Sequence, residues 1–463
     1  MPFAAESTSS DATCRRSARR TAVHLRVVFA GGGTGGHVFP GLALAEWLAD
    51  SGHRTESYFV GTNREIERRI VDGAECVHRH FALEAIEWLS GVRFSRSAHA
   101  AFGLVRSTLA ADRLLRQLQP AVVVGLGGAA SVPTVLAARR RRIPVVLLEQ
   151  NVKAGRANRF LARWADAACV GFAPAADDLK RARTVHVTGN PVRQSIAALA
   201  ANSDSQSQRR PTERYARQSP DRAACLVTEP HETPSDHARR TRLEALPEPP
   251  RASALRTVDD RTPVDGHATM ATATPNRCLL VVGGSQGSRH LNDAAIAFAE
   301  RCLPPEWWIW HQTGRDDEDR VRNTYRRLGI SARVDAFIED MTDAWRVADV
   351  LIARAGALTI SECCCAGCAA VLVPLPSATD GHQAANARLL ESENAAIHVK
   401  QAATAAGTAE ELRRRALPLL RQEPLRQCLS RNARRLARPR AAACAGEVIL
   451  ELATARAGDA CPK

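Results

Sequence analysis

Between an apolar, β-like run, Leu25 to Phe29, and an amphipathic stretch, Leu42 to Leu48, stands Ala30-Gly31-Gly32-Gly33-Thr34-Gly35-Gly36-His37-Val38-Phe39-Pro40. A strand, a glycine turn and a helix start form an anion site. N–H groups at a helix N-terminus point outward, and the helix dipole favours negative charge. Glycines let the backbone approach a phosphate closely. His37 then falls in the first helical turn, beside whatever anion binds there.

This unit opens an alternation of strands and helices that runs to about Ala198. Strands are expected at Leu25–Ala30, Ser57–Val60, Ala121–Gly125, Val145–Leu148, Ala168–Val170 and Val185–Val187. Alternation of this kind implies a parallel sheet covered on both faces, with ligands at the carboxyl ends of its strands. The unusual residues stand at those ends: the first glycine loop, Gly125-Leu126-Gly127-Gly128, Glu149-Gln150-Asn151 and Gly189-Asn190-Pro191-Val192-Arg193. From 201 to about 275 periodicity vanishes and Ser, Gln, Arg, Pro, Glu and His dominate, which reads as a disordered insertion. The alternation restarts with a strand at Cys278–Val282, the loop Gly283-Gly284-Ser285-Gln286-Gly287-Ser288 and a helix at Leu291–Cys302. Further strands are expected at Trp308–Gln312, Ala332–Phe337, Val350–Ala353 and Ala370–Val373. Two halves, each opening on a glycine loop after a strand, predict two facing Rossmann-like domains.

Gly31, Gly33 and Gly36 spell GxGxxG, a weak match to a dinucleotide site. A nicotinamide enzyme needs an acid at the end of its second strand, and here that strand ends Val60-Gly61-Thr62-Asn63. Arg354-Ala355-Gly356-Ala357-Leu358-Thr359-Ile360-Ser361-Glu362 reads as another helix start after a strand, with Glu362 able to accept from a ribose diol. Asp380-Gly381-His382-Gln383-Ala384-Ala385-Asn386 offers polar groups for a sugar. The acids Asp316 to Asp319 read as dipole complements at a helix start, so no metal ligand is assigned. Cys363-Cys364-Cys365 and Cys368 form one CxxC without a second pair, which reads as buried filler rather than zinc ligation. Thirteen scattered cysteines fit reduced thiols. A net charge of +14 calls for an anionic partner, and aromatics at 5% argue against nucleic acid. Phe81–Leu118, apolar and basic, reads either as an amphipathic helix pair or as a surface for an anionic bilayer, and Arg139-Arg140-Arg141-Arg142 reads as a solvated turn or part of that surface. No apolar run is long enough to span a membrane.

In order, Gly31–Pro40, Glu149-Gln150-Asn151, Gly189–Arg193, Gly283–Gly287, Phe337-Ile338-Glu339-Asp340-Met341 and Gly356–Glu362 resemble the MurG family, glycosyltransferases that add N-acetylglucosamine to lipid I in peptidoglycan synthesis. The resemblance implies an α/β GT-B fold: two facing Rossmann-like domains with parallel sheets and a cleft between them. The expected division is a tail at 1–22, an acceptor and membrane domain at 23–198, the insertion at 201–275, a UDP-sugar domain at 277–440, and a helix at 441–463 returning to the first domain. The implied donor contacts are Thr34, Gly35, Gly36, Asn151, Arg193, Ser285, Ile338, Ala357, Leu358, Thr359, Ile360, Ser361, Glu362 and Gln383. Acceptor contacts would be Gly127, Gly128 and Asn190, and His37 is the candidate base. No cofactor is obligatory; a divalent cation at the diphosphate stays open, with no ligand motif for one. The implied partners are UDP-N-acetylglucosamine, undecaprenyl-linked muramoyl-pentapeptide (lipid I), an anionic membrane surface, and cell-wall and division proteins. The implied location is peripheral, on the cytoplasmic face of the bacterial inner membrane. The chain departs from the family pattern at Ala129-Ala130, at Leu148, at His382 and in the insertion. Another GT-B glycolipid glycosyltransferase, a UDP-sugar epimerase and a non-catalytic cell-wall scaffold remain the alternatives.

Overall fold

The computed structural model describes residues 24–32, 35–83, 98–201 and 275–459. The tail 1–22, nearly all of the insertion 201–275, Thr34, and the stretch holding Trp88, Leu89, Val92, Arg93, Phe94 and Arg96 lie outside the described residues.

Strand β1 (His24–Gly31) leads into α1 (Gly35–Ala49), β2 (Arg54–Gly61), α2 (Glu65–Asp72) and β3 (Arg79–Ala82). Then come α3 (Ala98–Leu118), β4 (Val122–Gly127), α4 (Ser131–Arg140), β5 (Val145–Glu149), α5 (Arg156–Leu161), β6 (Ala167–Val170), α6 (Ala175–Leu179), β7 (Val185–Val187) and α7 (Gln194–Ala197). The strands pair in parallel in the order β3-β2-β1-β4-β5-β6-β7. Strands β4 and β5 are buried at every position. Helices cover both faces of a parallel sheet, so its central strands read as unbroken apolar runs rather than alternating ones.

The second unit repeats the plan with β8 (Arg277–Val282), α8 (Arg289–Cys302), β9 (Trp307–Gln312), α9 (Glu318–Arg327), β10 (Ala332–Asp335) and α10 (Met341–Val347). It continues with β11 (Ala348–Ala353), α11 (Ala357–Ala366), β12 (Ala369–Leu372), α12 (His382–Ser392), β13 (Ala396–His398), α13 (Ala405–Arg421), α14 (Glu423–Leu436) and α15 (Ala441–Asp459). Its parallel order is β10-β9-β8-β11-β12-β13. Both sheets reverse direction of growth beside their first strand, between β1 and β4 and between β8 and β11. The crevice at such a switch point is where open α/β sheets bind ligands.

Several expectations need correction. Strands β3 and β13 were not foreseen; both are short sheet-edge segments with too few apolar residues to stand out. Of the stretch 81–118, Phe81 lies in β3 rather than in a helix and 98–118 form α3; 84–97 lie outside the described residues. The strand expected to reach Phe337 stops at Asp335, whose carboxylate accepts from Trp310 Nε1 at 2.7 Å and Arg333 Nε at 2.8 Å. The first unit also ends before 198: Val192 and Ile196 pack into the core of the second.

The chain crosses between units twice, at Gly189–Arg193 and at 437–440. The crossings touch: a Cβ on Gly189, whose φ is +86°, would collide with Arg438. After the second crossing α15 returns to the first unit, where Ala445, Ile449, Leu450 and Ala453 share a core with Val38, Leu42, Ala45 and Leu48.

Candidate active site

The two glycine loops face each other across a cleft of about 380 Å³. Gly35, Gly36, His37 and Phe39 line one wall. Gly283 to Ser288, Phe337, Ile338, Ala357 to Thr359, Glu362, His382 and Gln383 line the other. The loops approach closely: a Cβ on Gly35 would stand 3.4 Å from Cβ of Ser285. Helix α11 begins after Gly356 with no side chain capping it, so its first N–H groups are left for a ligand. Helix α12 likewise starts uncapped, after Gly381 at φ +66°. Three helix N-termini, of α1, α11 and α12, thus give the cleft a positive lining suited to phosphate.

Two arginines add to that field. Arg354 is buried; it donates to Val373 O at 3.0 Å and to Ser288 Oγ at 2.7 Å, and no ion pair to it occurs among the described residues. Burial pulls its pKa down to about 10, which leaves it charged at neutral pH. Arg193 lies over the Phe39 ring at 4.7 Å and donates to Glu339 O at 3.3 Å, so it touches both walls. At the floor, Glu362 is 7% exposed and accepts from Trp345 Nε1 at 3.2 Å. Burial pushes its carboxyl up to about 7, against the opposing pull of that hydrogen bond and of Arg193. No cluster of three metal-type ligands occurs among the described residues.

His37 sits half-buried on the first wall. Its ring lies over the Gly127-Gly128 turn, where φ is +95° and +73°. A Cβ on Gly127 would stand 3.2 Å from His37 Cδ2, so the turn needs glycine both for its backbone and for the ring. Burial lowers the His37 pKa, Glu149 raises it, His382 lowers it, and Glu67 raises it least. The net direction is down, which keeps His37 neutral at pH 7 and ready to take a proton. Glu149 also organises the neighbouring loop, accepting from Asn151 N, Asn151 Nδ2, Gly155 N and Asn158 Nδ2 at 2.9–3.2 Å.

The units are bridged at both ends of the cleft. Buried Asn386 accepts from Val152 N at 2.9 Å and donates to Asn151 Oδ1 at 3.2 Å and to Ala355 O at 3.0 Å. It therefore joins the Glu149 loop to the start of α11. At the other end Arg69 pairs with Glu339 at 3.0 Å and Arg315 with Glu65 at 3.1 Å.

Of the expected donor residues, Gly35, Gly36, Asn151, Arg193, Ser285, Ile338, Ala357, Leu358, Thr359, Glu362 and Gln383 line the cleft. Ile360 does not: it is fully buried on the inner face of α11, in the core. Ser361 is turned away too, its Oγ donating to Ala357 O at 2.9 Å. Asn190, expected at the acceptor, is buried between the sheet and the crossing segments, its amide without a hydrogen-bond partner among the described residues. Phe39, Arg354 and Glu67 were not assigned from sequence, and Asn386 was read only as a possible sugar contact, not as a bridge between the units. Arg354 carried a usable signal, a cation at a strand end beside a glycine; an apolar ring and an acid inside a helix carried none.

Residues 27–170 match the model of the glycosyltransferase family 28 N-terminal domain, and residues 278–439 that of its C-terminal domain. The chain is 34% identical over 433 residues to the UDP-N-acetylglucosamine--N-acetylmuramyl-(pentapeptide) pyrophosphoryl-undecaprenol N-acetylglucosamine transferase of Cellvibrio japonicus, covering 93% of this chain and 99% of that one. The protein of the same description from Acidithiobacillus ferrooxidans is 35% identical over 430 residues, with 92% and 98% covered. Among solved structures, MurG of Acinetobacter baumannii superposes with a TM-score of 0.60 at 26% identity, covering 92% of this chain and 99% of that one. A UDP-GlcNAc 2-epimerase from Neisseria meningitidis shares the fold, with a TM-score of 0.54 at 12% identity, over 92% of this chain and 100% of that one. The chain belongs to the MurG family of GT-B glycosyltransferases, within glycosyltransferase family 28.

Proposed function

We propose that this enzyme transfers N-acetylglucosamine from UDP-N-acetylglucosamine to the 4-hydroxyl of the muramoyl-pentapeptide of lipid I, with inversion, yielding lipid II. The observation that carries the reading is one cleft with a histidine on one wall and a nucleotide-sized, electropositive seat on the other. The names borne by its relatives supply the sugar and the acceptor.

The Ile338 backbone reads uracil, Glu362 holds the ribose diol, and the α11 N-terminus with Ser285 and Arg193 holds the diphosphate. Arg354 supports that loop through Ser288. The acceptor hydroxyl attacks the anomeric carbon; its proton passes to His37, and the bond to the diphosphate oxygen breaks with its electron pair leaving on UDP. A positioned base contributes about 10²–10⁴ in rate. Fixed dipoles aimed at the departing diphosphate need no reorganisation as charge develops there.

For lipid I the enzyme must work at a bilayer. No helix among the described residues is long and apolar enough to cross one. Helix α3 instead exposes Phe102 at 70%, Val105 at 57% and Leu109 at 45%. Exposed Arg106, Arg113 and Arg116 continue the same stripe, and Arg141 is tied to Asp112 of α3 at 2.8 Å. An apolar stripe flanked by arginines suits a peripheral site on anionic lipid such as the cytoplasmic leaflet carries.

The test of the mechanism is His37→Ala. Transfer should be lost while UDP-sugar binding, made by the opposite wall, persists. Unchanged turnover would remove His37 from the reaction.

A further inference from the structure

We propose that Glu67, which lies outside the cleft lining, is a positioning residue of the transfer reaction: its buried carboxylate shapes the first glycine loop from behind and supplies counter-charge to His37 when that ring takes the proton. The inference rests on the reading of His37 as the base.

Glu67 projects inward from α2 and is 2% exposed. A buried carboxylate is costly unless hydrogen bonds compensate it. Thr62 supplies two, from its N–H at 2.9 Å and its hydroxyl at 2.6 Å. His80 places Nε2 3.4 Å from the carboxylate, and its Nδ1 lies 3.5 Å from Asp72. Two glycines make the space: a Cβ on either Gly32 or Gly61 would collide with the carboxylate oxygens. The acid missing from the end of β2 thus arrives a few residues later, folded back beneath the loop.

Gly32 lies against this carboxylate, and its carbonyl shares the surroundings of Gly128 with the His37 ring. Gly32 O stands 3.4 Å from the position of a Cβ on Gly128, and His37 Cε1 stands 3.8 Å from the same point. The titratable groups acting on His37 are Glu149 from the end of β5, Glu67 from α2 and His382 from α12. The carboxylate oxygens of Glu149 are taken up by the Asn151–Asn158 loop. A glutamine at 67 would satisfy much of the same hydrogen bonding without the cost of a buried charge. What only the carboxylate adds is its charge, and that charge favours imidazolium, the form reached in the transition state.

The experiment is a set of pH–rate profiles of kcat, at saturating donor and acceptor so that Glu362 is already ionised, for transfer by the full chain, comparing wild type, E67Q, E67D and H37A, with UDP binding and circular dichroism as fold controls. E67Q should bind UDP as wild type does. Its acid limb should move to lower pH by roughly 0.5–1 unit, because the base loses its counter-charge. Its plateau should fall about 3- to 10-fold as the base weakens. E67D, with the charge kept but withdrawn, should fall between. A purely structural Glu67 would lower the plateau and leave the limb in place, which overturns the proposal; so does loss of fold in both E67Q and E67D. An active H37A would overturn the base assignment itself, whereas an inactive H37A with an unmoved E67Q limb removes only Glu67.

Discussion

The nucleotide seat should switch on with pH through Glu362. Burial holds this carboxyl at about 7. Only its ionised form can accept from both hydroxyls of a ribose diol. At pH 6 about nine-tenths of the free enzyme carries it protonated, and at pH 8 about one-tenth. Affinity for UDP-N-acetylglucosamine should therefore weaken roughly tenfold from pH 8 to pH 6, about 1.4 kcal/mol. The diphosphate of the donor is a diester and does not titrate in this range, so the enzyme is the source of the change. Charge-assisted hydrogen bonds are worth about 1.5–3 kcal/mol, so E362Q should bind about 10- to 100-fold more weakly at pH 8 and lose the pH dependence. Stability should move the other way. The folded pKa is raised, so the folded state binds more protons than the unfolded one, and stability is lost as pH rises from about 4.5 to 7. That cost is on the order of 3 kcal/mol. Free E362Q should then melt above wild type at pH 8 and level with it near pH 4. Calorimetric titration at pH 6, 7 and 8 and thermal melts of both proteins decide the matter. A pH-independent wild-type affinity, or an E362Q protein that keeps the pH dependence, would refute the reasoning.

Other consequences are more local. Buried His311 bonds Tyr325 OH at 2.9 Å and Asn292 at 3.1 Å, and burial drives its pKa down to about 3. Only the unfolded chain takes up that proton, so the His311 contribution to stability falls as pH drops below about 6.5, by roughly 2 kcal/mol at pH 5; the difference between wild type and H311Q in urea melts should show this slope, whatever Glu362 adds to both. N386A strands Val152 N–H and the Asn151 amide at the domain bridge, at about 1–3 kcal/mol. Its donor KM should rise roughly tenfold or more, and an unchanged KM would rule the bridge out as a determinant of closure. F102D with L109D should cut sedimentation with anionic vesicles while leaving transfer to a soluble acceptor analogue intact.

Most of the frame was legible because a parallel sheet announces itself. Val122-Val123-Val124 and Val145–Leu148 are apolar throughout since both faces are covered, and the glycine loops mark the switch points. One edge of each sheet was not legible: Arg79–Ala82 and Ala396–His398 gain strand geometry from a neighbour rather than from their own pattern, whereas the opposite edges, β7 and β10, were expected. Within the site, the helix start at Gly356 was readable, but its reach was overextended. Helical period turns Ile360 into the core and lets Ser361 bond its own backbone. Glu67 was hidden for another reason: an acid in the first turn of a helix reads as a dipole complement, and only the fold shows it turned inward, against Gly32 and Gly61. Asn386 was visible as a polar residue near a sugar site, yet its bridge to Val152 depends on how two domains meet, which no local pattern encodes.

The central claim is most directly tested by incubating the enzyme with a lipid I analogue and either UDP-N-acetylglucosamine or UDP-N-acetylgalactosamine. The account predicts one inverted N-acetylglucosaminyl linkage per UDP released from the first donor, and none without acceptor. Conversion of UDP-N-acetylglucosamine in the absence of acceptor, or vesicle binding with no transfer, would contradict it.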